Sequence, residues 1–319
     1  QATLLQALLT AQNIVSEQVL VNSNNDYDLP KTPTVGAVDH VMNYLPEWRL
    51  YVDPTAGKIP FAYLPRGSYG KPVIHVGVPD AVRTITKNNA PDTQQHIQTT
   101  LKLSADGSAS GQARIRIKGG SVAAIRDYFM NIKPEQKEKY VENVLRRLNL
   151  RGKGRLETGE LAPEKRLSDE FELSVNFQID KLLRSNSGAF VLSSLFALGP
   201  TMSELSFIDD SKKVTREQTC ENIEISESYD ITLEPGVRFT QLPESLTRNT
   251  PYFDFKSSVK RTRNGVKIER AFADKSPSGI CPAAFQNAWV KAGVPIAENL
   301  QQQIFWALGN RNQKTPKKK

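Results

Sequence analysis

His40 and Asp53 are residues whose types and spacing could do chemistry. They lie 13 positions apart (53 − 40) in the stretch AVDHVMNYLPEWRLYVDPTAG, residues 37–57. A histidine oriented by an aspartate is the acid–base half of a nucleophilic triad: the imidazole takes and returns a proton, and the carboxylate fixes its tautomer. The nucleophile is not nearby. The chain has two cysteines, Cys220 and Cys281, both far downstream. A structural hydrogen bond between neighbouring strands is the competing reading of the pair.

The elements that must position the pair follow from local patterns. Residues 37–45 and 48–53 read as strands joined at Pro46-Glu47. That pairing sets Asn43 or Tyr44 against Trp48 and Arg49, and His40 against a residue near Val52 or Asp53. Pro54 removes a backbone donor and stiffens the exit turn. Upstream, QATLLQALLTAQ (1–12) carries Leu4, Leu5, Leu8 and Leu9, the stripe of a core-facing helix. Residues 14–21 and 73–78 read as further strands, with a polar loop and a Pro/Gly-dotted stretch between. Tyr44, Trp48, Tyr51, Phe61, Tyr63 and Tyr69 fit hairpin and core packing, with a substrate groove as the alternative. His75 and His96 have no partner identifiable in the sequence and read as structural.

Past the polar linker KNNAPDTQQ (87–95) the texture changes. Residues 96–103 and 110–117 flank Asp106-Gly107, a hairpin signal. Helices are predicted around 121–131 and 134–149, the second with Pro134 in its first turn and Tyr140, Val141, Val144, Leu145 and Leu148 as its apolar stripe. FELSVNFQI (171–179) alternates as a half-buried strand, and 223–233 and 253–272 extend the theme, the latter turning at Asn264-Gly265 with a type I′ signal. A last helix is predicted over 282–307, bent at Pro295. The expectation is an α+β chain with a first unit over 1–80 and a β-rich accessory domain over 81–319. The second unit has no catalytic constellation, phosphate loop or metal-ligand spacing and reads as a packing or ligand-presenting module. No cofactor or metal is expected.

Composition bounds the class. At 319 residues the chain exceeds one typical core, and 39% hydrophobic with 24% charged residues is ordinary for a globular protein. No stretch nears the ~18 consecutive apolar residues of a membrane span. The first residues read as the middle of a helix, not as a signal peptide, so a preceding segment is expected to be missing. The net charge of +8 is partly local, in Lys314 and Lys317–Lys319 and in Arg146, Arg147, Arg151, Lys153 and Arg155. Without aromatic stacking positions or a reading module, no specific nucleic-acid site is expected. Cys220 and Cys281, 61 positions apart, are either a disulfide, stabilising by roughly 4 kcal/mol in the entropic model, or two buried thiols.

The ordered blocks Asp28-Leu29-Pro30, Asp39-His40-Val41, Leu50 to Ala56, Pro60 to Pro65 and Gly70-Lys71-Pro72, behind the leucine-rich helix, resemble the bacterial transglutaminase-like proteins, which have a papain-like cysteine-enzyme core between β-domains. The match runs over residues 1 to about 78; residues 80–319 resemble the family's C-terminal domain in texture only. The resemblance implies that His40 is the general base and acid and that Asp53 orients it. It also implies a Cys-Lys-Asp triplet immediately before Gln1, at a helix N-terminus that favours thiolate.

These readings lead to one expected activity: a cysteine amidase, peptidase or acyltransferase working through a thioester on a protein or peptide amide. The present chain is expected to lack its nucleophile and to be inert. A Cys281 standing in for it is the lesser reading. The alternative is a non-catalytic scaffold of the cell envelope that keeps the fold. The family's usual setting implies a bacterial periplasm or envelope.

Overall fold

A computed structural model describes residues 1–24, 27–86, 93–159, 168–277 and 279–309. Helix α1 (Ala2–Ala11) leads into β1 (Glu17–Val21), β2 (His40–Leu45), β3 (Leu50–Val52), β4 (Pro72–His75) and β5 (Val82–Thr84). These strands form one antiparallel sheet in the order β3-β2-β1-β4-β5. Strand alternation puts Val19, Val21, Met42, Tyr51 and Val73 on one face, where they join Leu64, Tyr69 and Ile85 in a small core. Ile85 lies past residue 80, so this sheet's core extends beyond the expected first unit.

Helix α1 lies against the other face, held by polar contacts. Gln18 donates from Nε2 to Gln6 Oε1 at 3.0 Å, and Asn43 donates from Nδ2 to the Ala2 carbonyl at 3.2 Å. Only Ala2 of this helix is buried. Leu4 and Leu8 are 65% and 58% exposed while Leu5 and Leu9 are half-buried, which corrects the expectation that the whole stripe faces a core.

The chain continues through β6 (Thr93–Leu103), β7 (Ala109–Gly119), α2 (Val122–Asn131), α3 (Pro134–Arg147), β8 (Gly152–Thr158), β9 (Glu170–Ile179), β10 (Ser187–Val191), α4 (Met202–Leu205) and β11 (Gln218–Cys220). It ends with β12 (Ile223–Leu233), β13 (Val237–Gln241), β14 (Leu246–Asn249), β15 (Phe253–Thr262), β16 (Gly265–Asp274), β17 (Gly279–Cys281), α5 (Ala283–Leu300) and β18 (Gln303–Leu308). Eight strands form a large sheet, β14-β15-β16-β12-β6-β7-β9-β8. Every pairing in it is antiparallel except β12 with β6. Its inner face carries the alternating Ile97, Leu101, Ile115, Leu173, Val175 and Ile231 into the main core, with Val141 and Leu145 of α3. The molecule is thus α+β and β-rich, as expected.

Several local expectations need correction. Thr93–Gln95 open β6 instead of belonging to a linker; residues 87–92 of that segment, and the basic tail from 310 onward, lie outside the described residues. The β15–β16 hairpin turns at Arg263-Asn264, between the paired Thr262 and Gly265, and none of residues 263–265 has a positive φ, so the turn is not type I′. Helix α5 stops at Leu300; beyond it Ile304 and Trp306 are buried while Gln303 and Phe305 are exposed, the period-2 pattern of a strand.

The five-stranded sheet is tied to the rest of the described chain by polar contacts and one close backbone approach. Tyr63 donates to Asp169 Oδ2 at 3.2 Å, Lys58 pairs with Asp127 at 2.8 Å, and Arg66 pairs with Glu221. At this seam Gly70 meets Gly279 of β17, whose φ is +92° and whose absent Cβ would lie 2.7 Å from the Tyr69 carbonyl. Only glycine fits there.

Candidate active site

His40 opens β2, opposite Val21 of β1. The turn that follows is longer than expected: Pro46–Trp48 form a 3₁₀ turn closed by Arg49 in the left-handed region, φ 49°. The pairs are therefore Leu45↔Leu50, Tyr44↔Tyr51 and Asn43↔Val52. His40 does not face Val52 or Asp53; continued by one residue, that register sets Asp53 opposite Met42. His40 reaches it on a diagonal, with Nε2 2.9 Å from Asp53 Oδ2. Diagonal neighbours on one face of a sheet lie within reach of long side chains.

Asp53 is fixed from its other side. Its Oδ1 accepts from the Thr55 backbone N–H at 2.9 Å and from the Thr55 hydroxyl at 2.7 Å, the turn that an aspartate makes with its own chain two residues on. The Asp53 side chain is 5% exposed and that of His40 24%. When Asp53 accepts from Nε2–H, Nδ1 is left as the lone-pair nitrogen, with no hydrogen bond among the described residues. A half-buried imidazole with one nitrogen anchored and the other free is the arrangement an acid–base catalyst needs.

The residue before His40 is also held. Asp39 accepts from the Ser23 backbone N–H at 2.6 Å and the Ser23 hydroxyl at 3.0 Å. The backbone bond is the main reason its carboxyl lies below the ordinary range. It also pins the loop after β1 to the start of β2.

Cys220 and Cys281 are bonded to each other across β11 and β17, Cα to Cα 5.6 Å. This settles the alternatives left open by the sequence and removes Cys281 as a stand-in nucleophile.

A second histidine network on the same sheet, one without a local signature, is formed by His75. His75 is 1% exposed; its Nδ1 lies 2.7 Å from Glu17 Oε2 and its Nε2 3.0 Å from the Tyr51 hydroxyl. The partners are 58 and 24 residues away, so only the register Val19↔His75 and Tyr44↔Tyr51 brings them together. Burial, then the neighbouring Tyr44, pushes the Tyr51 phenol up to about 12. His96 also has a partner, Ser226 Oγ at 2.5 Å. Of the aromatic residues near the pair, Tyr51 and Tyr69 belong to the core, whereas Trp48 and Phe61 are exposed.

Among the described residues no group of three or more His, Cys, Asp and Glu side chains could hold a metal ion, and no helix is long and apolar enough to cross a membrane.

No family model matches the chain, and no curated protein matches it. A solved structure described as a "putative protease" from Parabacteroides distasonis is similar over 96% of this chain, with 12% identity and a TM-score of 0.49. The chain spans 43% of that protein's length.

Proposed function

We propose that His40 and Asp53 are the acid–base half of a cysteine-dependent site for amide chemistry of the transglutaminase-like kind. The observation that carries the reading is the His40 Nε2–Asp53 Oδ2 bond of 2.9 Å, with Asp53 clamped by Thr55 and Nδ1 left free. In this reading Nδ1 takes the thiol proton and the thiolate attacks the amide carbonyl carbon. The imidazolium then gives the proton to the departing amine nitrogen, leaving a thioester that water or a second amine resolves. Asp53 holds the ring and balances its transient charge.

The thiol is proposed one helical turn before Ala2, at the first position of the Cys-Lys-Asp triplet. Residues four apart share a helix face. Ala2 is buried, with its carbonyl bonded to Asn43 of the strand that His40 opens. Asn43 and His40 project from opposite faces, so in this reading the thiol reaches the imidazole around the end of the sheet. A thiol at that helix start would gain from the dipole and free N–H groups. Residues 1–80 are then part of a papain-like core, 81–319 an accessory domain, and the substrate a protein or peptide amide. A disulfide at Cys220–Cys281 fits an oxidising compartment such as the periplasm.

The test is mass spectrometry of the protein carrying that triplet after incubation with a glutamine-containing peptide. A thioester adduct on the triplet cysteine is expected, together with none on the 319-residue chain. The second reading, a scaffold without chemistry, draws on the Glu17–His75–Tyr51 network, in which the same sheet uses a histidine for cohesion alone; it predicts no adduct on either protein.

A further inference from the structure

The eight-stranded sheet buries one face and leaves the other open, and the open face is hollowed into a trough of about 610 Å³. Strand register explains the hollow. Along one rung stand Lys256, Ala271, Ser226, His96 and Arg116; along the next stand Ser258, Glu269, Ser228, Gln98 and Arg114. Ala271, Ser226 and Ser228 keep the middle low, and long cations stand on the flanks. Lys256 and Lys267 rise from β15 and β16 on one side, Arg114 and Arg116 from β7 on the other. At about 4.8 Å per strand, these walls stand roughly 14–19 Å apart.

The walls carry unmatched charge. Arg116 pairs with Glu172 at 3.2 Å and Lys267 with Glu269 at 2.7 Å. Arg114 and Lys256 are exposed and have no ion pair among the described residues. A concave surface with an excess of one charge sign concentrates ligands of the other. The floor adds a second requirement: Ser226, Ser228 and Gln98 each donate and accept hydrogen bonds.

The same surface lacks what other polyanions need. No Trp, Tyr or Phe lines the trough among the described residues, so there is no stacking platform for single-stranded nucleic acid. The central strands β6 and β12 lie inside the sheet with both neighbours paired, so a peptide cannot add as an edge strand, and the floor offers no apolar anchoring pocket. A chain rich in hydroxyls with regularly spaced carboxylates satisfies both floor and walls. We propose that this trough binds a carboxylated polysaccharide, a polyuronate, independently of any chemistry at His40.

Calorimetric titration of the chain with oligogalacturonate at low salt tests this. Measurable binding is expected that weakens steeply as salt is raised. The double variant Arg114→Ser/Lys256→Ser should bind about tenfold or more weakly, since two charge-assisted contacts are lost. Ser228→Glu, which sets a carboxylate on the floor, should also weaken binding, while Lys139→Ser on α3 should leave it unchanged. No binding at low salt would overturn the proposal. So would unchanged affinity in both trough variants, or equal or tighter binding of a neutral maltooligosaccharide, of poly-glutamate or of single-stranded DNA.

Discussion

Asp53 meets His40 along a diagonal of the sheet, Oδ2 to Nε2 2.9 Å, while its second oxygen is held by Thr55. In the proposed reading Asp53 orients His40, and its own rotamer is fixed by Thr55, so the two residues are separable by mutation. In the protein carrying the proposed thiol, Asp53→Asn should lower kcat by about 10²–10⁴ with KM little changed, because acid–base assistance acts mainly in the transition state. Thr55→Ala should cost less, about tenfold, since Asp53 keeps its bonds to His40 and to the backbone N–H of residue 55 and loses only the hydroxyl. Steady-state kinetics with circular dichroism as the fold check reads both.

The seam between the sheets should be sensitive to one atom. Gly279→Ala places a Cβ 2.7 Å from the Tyr69 carbonyl at a residue with φ +92°, and should destabilise by about 1–3 kcal/mol without touching the disulfide. Cys220→Ser/Cys281→Ser instead releases a loop spanning 61 positions, and should lower stability by up to about 4 kcal/mol. Urea denaturation measures both, and intact mass under non-reducing conditions should show no free thiol in the parent chain.

His75 should be structural. Glu17→Ala leaves its Nδ1–H without an acceptor inside the sheet, at a cost of about 1–3 kcal/mol. Glu17→Gln, which retains an acceptor oxygen, should cost less. The ordering of the two melting temperatures is the readout.

Alkaline stability follows from Tyr51. Its phenol is held near 12 in the fold, against 10.0 for a free tyrosine. A raised folded value means the contribution is fully present below pH 10 and is lost as pH rises through about 12. Tyr51→Phe should flatten the fall in stability over that window. Tyr140, also pushed up to about 12 by burial, and Tyr229, raised further by full burial, act in the same direction.

Much of the fold was legible because its period is local. Phe171, Leu173, Val175, Phe177 and Ile179 alternate into the core as their sequence demands, and the Asp106-Gly107 hairpin joins β6 to β7 as expected. Strand β18 was missed because it follows α5 with only Gln301 and Gln302 between, and its six residues continue an apolar run. The parallel pairing of β12 with β6 joins residues 130 positions apart, such as Ser226 and His96, and has no local signature. At the candidate site, the residue types and the Asp-Pro turn were readable, but the diagonal depended on how Arg49 lengthened the hairpin turn. The exposure of Leu4 and Leu8 was unreadable for another reason: a stripe shows which face is apolar, not what covers it.

The central claim is that His40 works on a thiol at the start of α1. The most direct measurement is the pH dependence of iodoacetamide alkylation of the triplet cysteine, with and without His40→Ala. The account predicts thiolate reactivity well below the ordinary thiol value of about 8.5 in the parent protein, and a return to that value in the variant. An ordinary thiol profile that is the same in both proteins would contradict it.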